Sequence, residues 1–291
     1  MTLFAEAWLL LFLLAAGLAT GATAALAMGH LLGDDWLRAA RPGLEATIRA
    51  APLLLPLSLP VLLLMGRLYP WAVVAPADPV HAAWFAPAFF AARVLGALAL
   101  WAALGRWLLA GRREALHPRR AGAVLLLLVP TAGVAAQDLA LSRDLSWFGS
   151  LQGFALVVGA ASAALAGAAL AALLRRGLPR PESLDGLERA LLTLGMAVLW
   201  LWFIQFVVAW AGNLPEEAAW YGRRGEGVWL WVKFGFALPA LLAAVALSLV
   251  PQWGAWRLGA VCALLFAHHA AQVAWVVVPD SPALRAAVAA A

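Results

Sequence analysis

The sequence predicts an all-α, polytopic membrane bundle of about eight transmembrane helices, and three observations predict it. Apolar residues make up 65% of the 291-residue chain and charged residues only 12%, against roughly 25% charged in a soluble domain. So little charge cannot coat a globule of this size, but it suffices where lipid is the solvent for most of the surface. The apolar residues fall in runs of about 20, the length an α-helix needs to cross the hydrocarbon core. Sixteen tryptophans suit anchoring at the two membrane interfaces.

The first run, 4–29, has no basic stretch ahead of it and is too long for a signal peptide, so it reads as a retained first helix. The second and third, 46–66 and 85–109, are separated by the longest connection, Arg67 to Trp84, which contains Pro70, Pro76 and Pro79. The fourth and fifth, 121–141 and 148–174, are separated only by SRDLSW and form a tight hairpin. The sixth, 188–211, stops at Asn213-Leu214-Pro215, where proline removes a backbone donor and restricts the residue before it. The seventh and eighth are 228–250 and 257–278. No soluble domain or clear internal repeat interrupts these runs, and residues 1–291 are expected to form a single integral-membrane domain.

Charge orients the bundle. Loops one, three, five and seven carry Arg38, Arg41, Arg49, Arg106, Arg112, Arg113, Arg119, Arg120, Arg175, Arg176, Arg180, Arg189 and Arg257. The even loops carry Arg67, Arg143, Arg223 and Arg224. The positive-inside rule therefore places the odd loops in the cytoplasm and both termini outside. The net charge of +5 is scattered through short loops, with no dense basic patch, which excludes nucleic acid as a partner. The single cysteine, Cys262, allows no disulfide and no cysteine-based metal site within one chain. The absence of a phosphate-binding glycine loop, HExxH and GxSxG leaves no sign of an ATPase, kinase or hydrolase.

Ionisable side chains at membrane depth are costly and mark function by default. Arg93, Gln137, Asp138, Gln205, Asn213 and Lys233 all fall in the outer third to half of their spans, as a hydrated cavity opening outward would require. The plainer alternative is that Arg93 and Lys233 snorkel to the interface, while Asp138 caps a helix end or pairs with Arg93. The inner half offers only Thr131, Ser162 and Thr193, so any proton path is an outer half-channel. His268 and Gln272 share one face of the eighth helix, and His269 points about 100° away. A bis-histidine haem would need a partner at matched depth, but His30, His81 and His117 lie at a helix end or in loops. No metal site is expected. A proton relay, hydrogen bonding to a quinone, and plain interhelical hydrogen bonding all stay open for His268 and His269.

Residues 29–72, 137–154 and 200–232 go beyond composition. They carry an LYPWA helix end, an Asp followed by a WF turn, and QFVVAWAGNLPEEAAWYGRR. These stretches resemble the ActF membrane subunits of alternative complex III, the quinol:electron-acceptor oxidoreductases, which are akin to NrfD/PsrC-type subunits. The matching residues are Tyr69, Pro70, Trp71, Asp138, Trp147, Phe148, Gln205, Phe206, Trp210, Gly212, Asn213, Leu214, Pro215, Glu216, Glu217, Trp220, Tyr221 and Arg224. FALPALL and QVAWVVVPD are similar to the family's last two helices. Family members usually have about ten spans, so the resemblance implies a short, divergent member lacking N-terminal spans. It further implies a multi-pass protein of the bacterial inner membrane, beside cytochrome or iron–sulfur subunits or a haem–copper oxidase. It implies no cofactor bound by this chain, the quinol site of such complexes being ascribed to a sister subunit, and it implies a proton-conducting role.

The motif also reads on its own terms. Glu216 and Glu217 form an acidic corner, with Trp220 and Tyr221 as interface anchors. Such a corner suits docking of a partner subunit, the mouth of a proton path ending at Gln205 and Asp138, or an ordinary capped loop. Three functions follow. The first is a cofactor-free subunit of a quinol-oxidising complex, not catalytic alone. The second is a quinone-binding subunit with an aromatic, lipid-open pocket. The third is a small-solute or ion transporter, for which Pro130 and Pro239 would break paired helices.

Overall fold

The computed structural model describes residues 1–110, 117–145, 149, 151–177, 179, 181–250 and 254–281. Among them are eight helices long and apolar enough to cross a membrane, and no strand. They are α1 (Thr2–Leu32), α2 (Arg41–Leu63), α3 (Pro87–Ala110), α4 (Pro118–Leu141), α5 (Gln152–Arg176), α6 (Ser183–Gly212), α7 (Gly227–Ser248) and α8 (Ala255–Asp280). Each overlaps one expected segment, so the protein is an all-α, multi-pass membrane bundle. Arg112, Arg113, Trp147, Phe148 and Arg180 lie outside the described residues.

Small residues decide which helices sit at the centre. Lipid tails are as apolar as leucine, so membrane helices gain by close backbone packing rather than by burying oily surface. The Gly- and Ala-rich α1 and α5 pack most heavily against each other, and α5 also carries α8 and α4. A Cβ added at Gly21 of α1 would overlap the Ala160 carbonyl of α5, and one added at Gly153 of α5 would overlap the Gly133 carbonyl of α4. At Gly43 of α2 an added Cβ would stand 2.9 Å from the Ala168 Cβ. The bulky aromatic residues Trp200, Trp210 and Trp231 are left on the outward faces of α6 and α7, where they meet lipid.

Three spans depart from a regular ladder. In α2 a 3₁₀ turn, Ala51–Leu53, joins the helices Arg41–Ala50 and Leu54–Leu63. Pro52, Pro56 and Pro60 supply no N–H there. α4 continues through Pro130 and ends in a π turn, Gln137–Leu141. α7 opens with one α-helical turn, Gly227–Leu230, and passes through a π turn, Trp231–Ala237, just ahead of Pro239. Neither Pro130 nor Pro239 breaks its helix, and the two π turns contain Asp138 and Lys233.

The connections gather at two ends. The α2–α3, α4–α5 and α6–α7 connections meet the start of α1 and the finish of α8 at one end, here called the even-loop end. The remaining connections form the odd-loop end.

Candidate functional site

The stretches singled out in the sequence meet at the even-loop end. The Tyr69 hydroxyl donates to the Leu139 carbonyl at 3.0 Å, and Trp71 Nε1 donates to Ser142 Oγ at 3.1 Å. Ser142 Oγ in turn donates to the Asp138 carbonyl at 2.5 Å. Trp71 stacks on Tyr69 and Phe85, with ring centroids 5.0 and 5.2 Å apart. The LYPW corner is thereby pinned against the π turn of α4. Burial pushes the Tyr69 phenol well above its ordinary pKa.

That π turn presents Asp138 to α3. Asp138 Oδ2 accepts from Arg93 Nε at 2.9 Å, and Oδ1 accepts from Trp84 Nε1 at 3.0 Å. Arg93 Nη1 also donates to the Trp84 carbonyl at 2.6 Å, and its guanidinium lies 4.1 Å from the Trp84 ring centroid. Cavities lie on both sides of the pair. One, of about 370 Å³, is lined by His81, Trp84, Gln137, Asp138, Ser142 and Asp144 among others. The other, of about 280 Å³, is lined by Arg93, Gly96, Pro130, Thr131 and Asp138 among others. The two embedded charges therefore form one neutralised pair between two voids.

A second ionic group closes the end of the bundle. Arg143 lies 3.6 Å from Glu6 of α1, each side chain 2% exposed, and donates to the Asp280 carbonyl at 3.2 Å. Arg224 pairs with the Asp280 carboxylate, donates to the Val276 carbonyl at 2.7 Å, and covers the Trp220 ring at 3.6 Å. Arg223 bonds Asp144. Arg143 and Arg224 counted as loop charges in the sequence, yet both are buried. Desolvation pulls the Arg224 guanidinium down to about 10, which leaves it charged at neutral pH.

The GNLPEE corner takes the expected shape. α6 ends at Gly212, Asn213 has φ of 49°, and Pro215 opens a short helix, Pro215–Arg224. Glu216 faces outward and Glu217 is half-buried. Trp220 differs from the interface anchor expected of it. It is fully buried, because the short helix folds back over α8 and presses Trp220 edge-on to Trp275, centroids 5.6 Å apart. Tyr221 is half-buried, its phenol pKa raised by desolvation.

Between α6, α7 and α8 lies a cavity of about 330 Å³. Trp202, Phe203, Phe206, Phe234 and Trp275 wall it, and Lys233, His268, Tyr221 and Arg224 bring polar atoms to it. Phe203, Phe206 and Phe234 are 55%, 48% and 56% exposed, so the mouth opens sideways into the lipid. Lys233 Nζ donates to Gln272 Oε1 at 2.6 Å and lies 5.0 and 4.7 Å from the Trp202 and Trp275 ring centroids. His268 Nδ1 lies 2.7 Å from the Ala237 carbonyl of the α7 π turn.

His269 goes elsewhere, as the 100° step between adjacent helix positions requires. It lines a small void of about 60 Å³ among α1, α4, α5 and α8. Gln137 and Gln205 hold the α4–α5 connection. Gln137 Nε2 donates to the Gly149 carbonyl at 2.6 Å, and Gln205 Oε1 accepts from the Leu151 N–H at 3.2 Å. Among the described residues no group of three or more His, Cys, Asp or Glu is placed to hold a metal ion. Neither a scan against protein-family models nor a search of curated proteins finds a match to this chain.

Proposed function

We propose that this chain is a subunit of a quinol-oxidising respiratory complex in a bacterial inner membrane, and that it holds the quinone-type head group itself. The observation that carries the reading is the cavity between α6, α7 and α8. A quinone head group is a flat ring with oxygens at opposite ends and a tail that stays in the bilayer. Aromatic walls suit the ring, and a few placed polar groups suit the oxygens. A mouth open to lipid lets the tail remain outside. Lys233 and His268 lie at one cavity with five aromatic side chains around them, which favours the quinone-binding reading over a cofactor-free scaffold. The resemblance of the three sequence stretches to ActF subunits supplies the respiratory context and the cytochrome or iron–sulfur partners. On this reading the even-loop end faces outward, by the positive-inside rule.

The voids on either side of Asp138 and Arg93 favour a second role, an outward half-channel for protons. The test of the first is purification in mild detergent with binding of a short-tailed quinone analogue. Co-purifying redox subunits, and analogue binding weakened by Lys233→Met, are the expected results. A lone chain that binds no analogue would remove the reading.

A further inference from the structure

We infer that the cavity between α6, α7 and α8 also takes a long-chain fatty acid anion, its carboxylate on Lys233 and its tail in the bilayer, and that this occupant excludes the quinone-type head group. The anion site stands on the charge of the cavity, and only the competition rests on the quinone-binding reading. Lys233 Nζ lies between two of the cavity walls, 5.0 Å from the Trp202 ring centroid and 4.7 Å from that of Trp275. An ammonium has three hydrogens to donate. One goes to Gln272 Oε1 at 2.6 Å, and among the described residues no carboxylate pairs with Lys233. The other polar groups of the lining do not supply the missing charge. Arg224 is a second cation, already matched by Asp280, and Tyr221 brings a phenol. No Asp or Glu stands among the described lining residues.

The cavity thus holds an unmatched positive charge at membrane depth. Such a charge is costly, and the faces of the two tryptophans offset only part of the cost. A carboxylate arriving from the lipid matches the charge and accepts a charge-assisted hydrogen bond. Depth selects the kind of anion. Lys233 follows Gly227, the first residue of α7, by six residues, about 9 Å along the helix axis. A phospholipid phosphate sits in the interfacial layer outside the hydrocarbon core and would have to sink that far with two chains attached. A carboxylate at the end of one chain enters more readily. The mouth between Phe203, Phe206 and Phe234 opens to the bilayer. The volume of about 330 Å³ holds on the order of ten water-sized groups, which suits a carboxylate with its first few methylenes. A quinone-type ring fills the same space, so the two occupants are exclusive.

The test uses the full chain in phosphatidylcholine nanodiscs, a palmitic acid carrying a diazirine in its chain, and the methyl ester of the same acid. Adducts formed on illumination are mapped by peptide mass spectrometry. The expected result is that the acid labels the segments carrying Phe203, Phe206 and Phe234 at least about tenfold more than the ester does. Lys233→Met should remove that difference, and Lys233→Arg, which keeps a cation, should retain it. A short-tailed quinone analogue should displace the acid. Equal labelling by acid and ester in the unaltered chain, or a difference that survives Lys233→Met, would overturn the anion site while leaving the quinone-binding reading intact. Loss of the acid's labelling when phosphatidylglycerol is added to the nanodiscs would overturn it in favour of a phospholipid phosphate. Acid labelling that no quinone analogue displaces would overturn the competition and the head-group reading of this cavity, while leaving the anion site.

Discussion

Removing Asp138 should destabilise the bundle far more than removing Asp138 and Arg93 together. Asp138 accepts Arg93 Nε at 2.9 Å and Trp84 Nε1 at 3.0 Å, and the two ionic side chains are only 5% and 15% exposed. Asp138→Leu strands both donors. Breaking a buried pair by deleting one partner costs about 3–5 kcal/mol. Arg93 keeps the Trp84 carbonyl at 2.6 Å and the faces of Trp84 and Phe89 at 4.1 and 4.6 Å, so the lower figure, about 3 kcal/mol, applies. Arg93→Leu leaves a carboxylate with Trp84 alone and should cost about the same. The double variant carries no buried charge and should lie within about 1 kcal/mol of the unaltered chain. The coupling is then on the order of 5 kcal/mol, larger than is usual for a contacting pair. Unfolding in mixed micelles with rising dodecyl sulfate, followed by tryptophan fluorescence, measures all four proteins. Single variants within about 0.5 kcal/mol of the parent, or losses that simply add, would refute the reasoning.

Other outcomes follow from the same geometry. Gly21→Val should cost at least about 1–3 kcal/mol by overpacking, because even a Cβ meets the Ala160 backbone; the same micelle titration reads it. Arg224→Lys keeps the charge but loses the fork that reaches Val276, Asp280 and Trp220, costing about 2 kcal/mol, and hydrogen exchange should rise along Pro215–Arg224. The chain has two tyrosines, Tyr69 and Tyr221, and desolvation raises the pKa of both above 10.0. Above about pH 10 the folded state therefore holds protons that the unfolded state releases, and stability falls as pH rises. Tyrosinate absorbance should stay low to about pH 11 and then appear together with loss of helical circular dichroism; a gradual rise from pH 10 would contradict the burial.

The eight spans were legible because an apolar run and a spanning helix have the same length. Depth in the membrane offered the Arg93–Asp138 pair as one reading, beside a helix cap at Asp138 and a snorkelling Arg93, and the structure has the pair. The split between His268 and His269 followed from the angle between adjacent helix positions. The end clamp was not legible. Arg143 finds Asp280 across 137 residues and Arg224 finds it across 56, and no local pattern encodes either pairing. Trp220 misled because a tryptophan that anchors at an interface and one that fills a core have the same side chain. The π turns carry no periodic signature, yet they place Asp138 and the Ala237 carbonyl that holds His268.

The clamp also bears on how the protein is made. Glu6, Arg143 and Asp280 emerge from the ribosome in that order, in the first helix, after the fourth and at the finish of the eighth. Arg143 can meet Glu6 halfway through synthesis, but its second contact and the whole Arg224–Asp280 pair wait for the last span to insert. A chain stalled before α8 would hold Arg224 without its Asp280 counter-charge. Insertion of the eighth span is thus the step that closes the ionic end of the bundle.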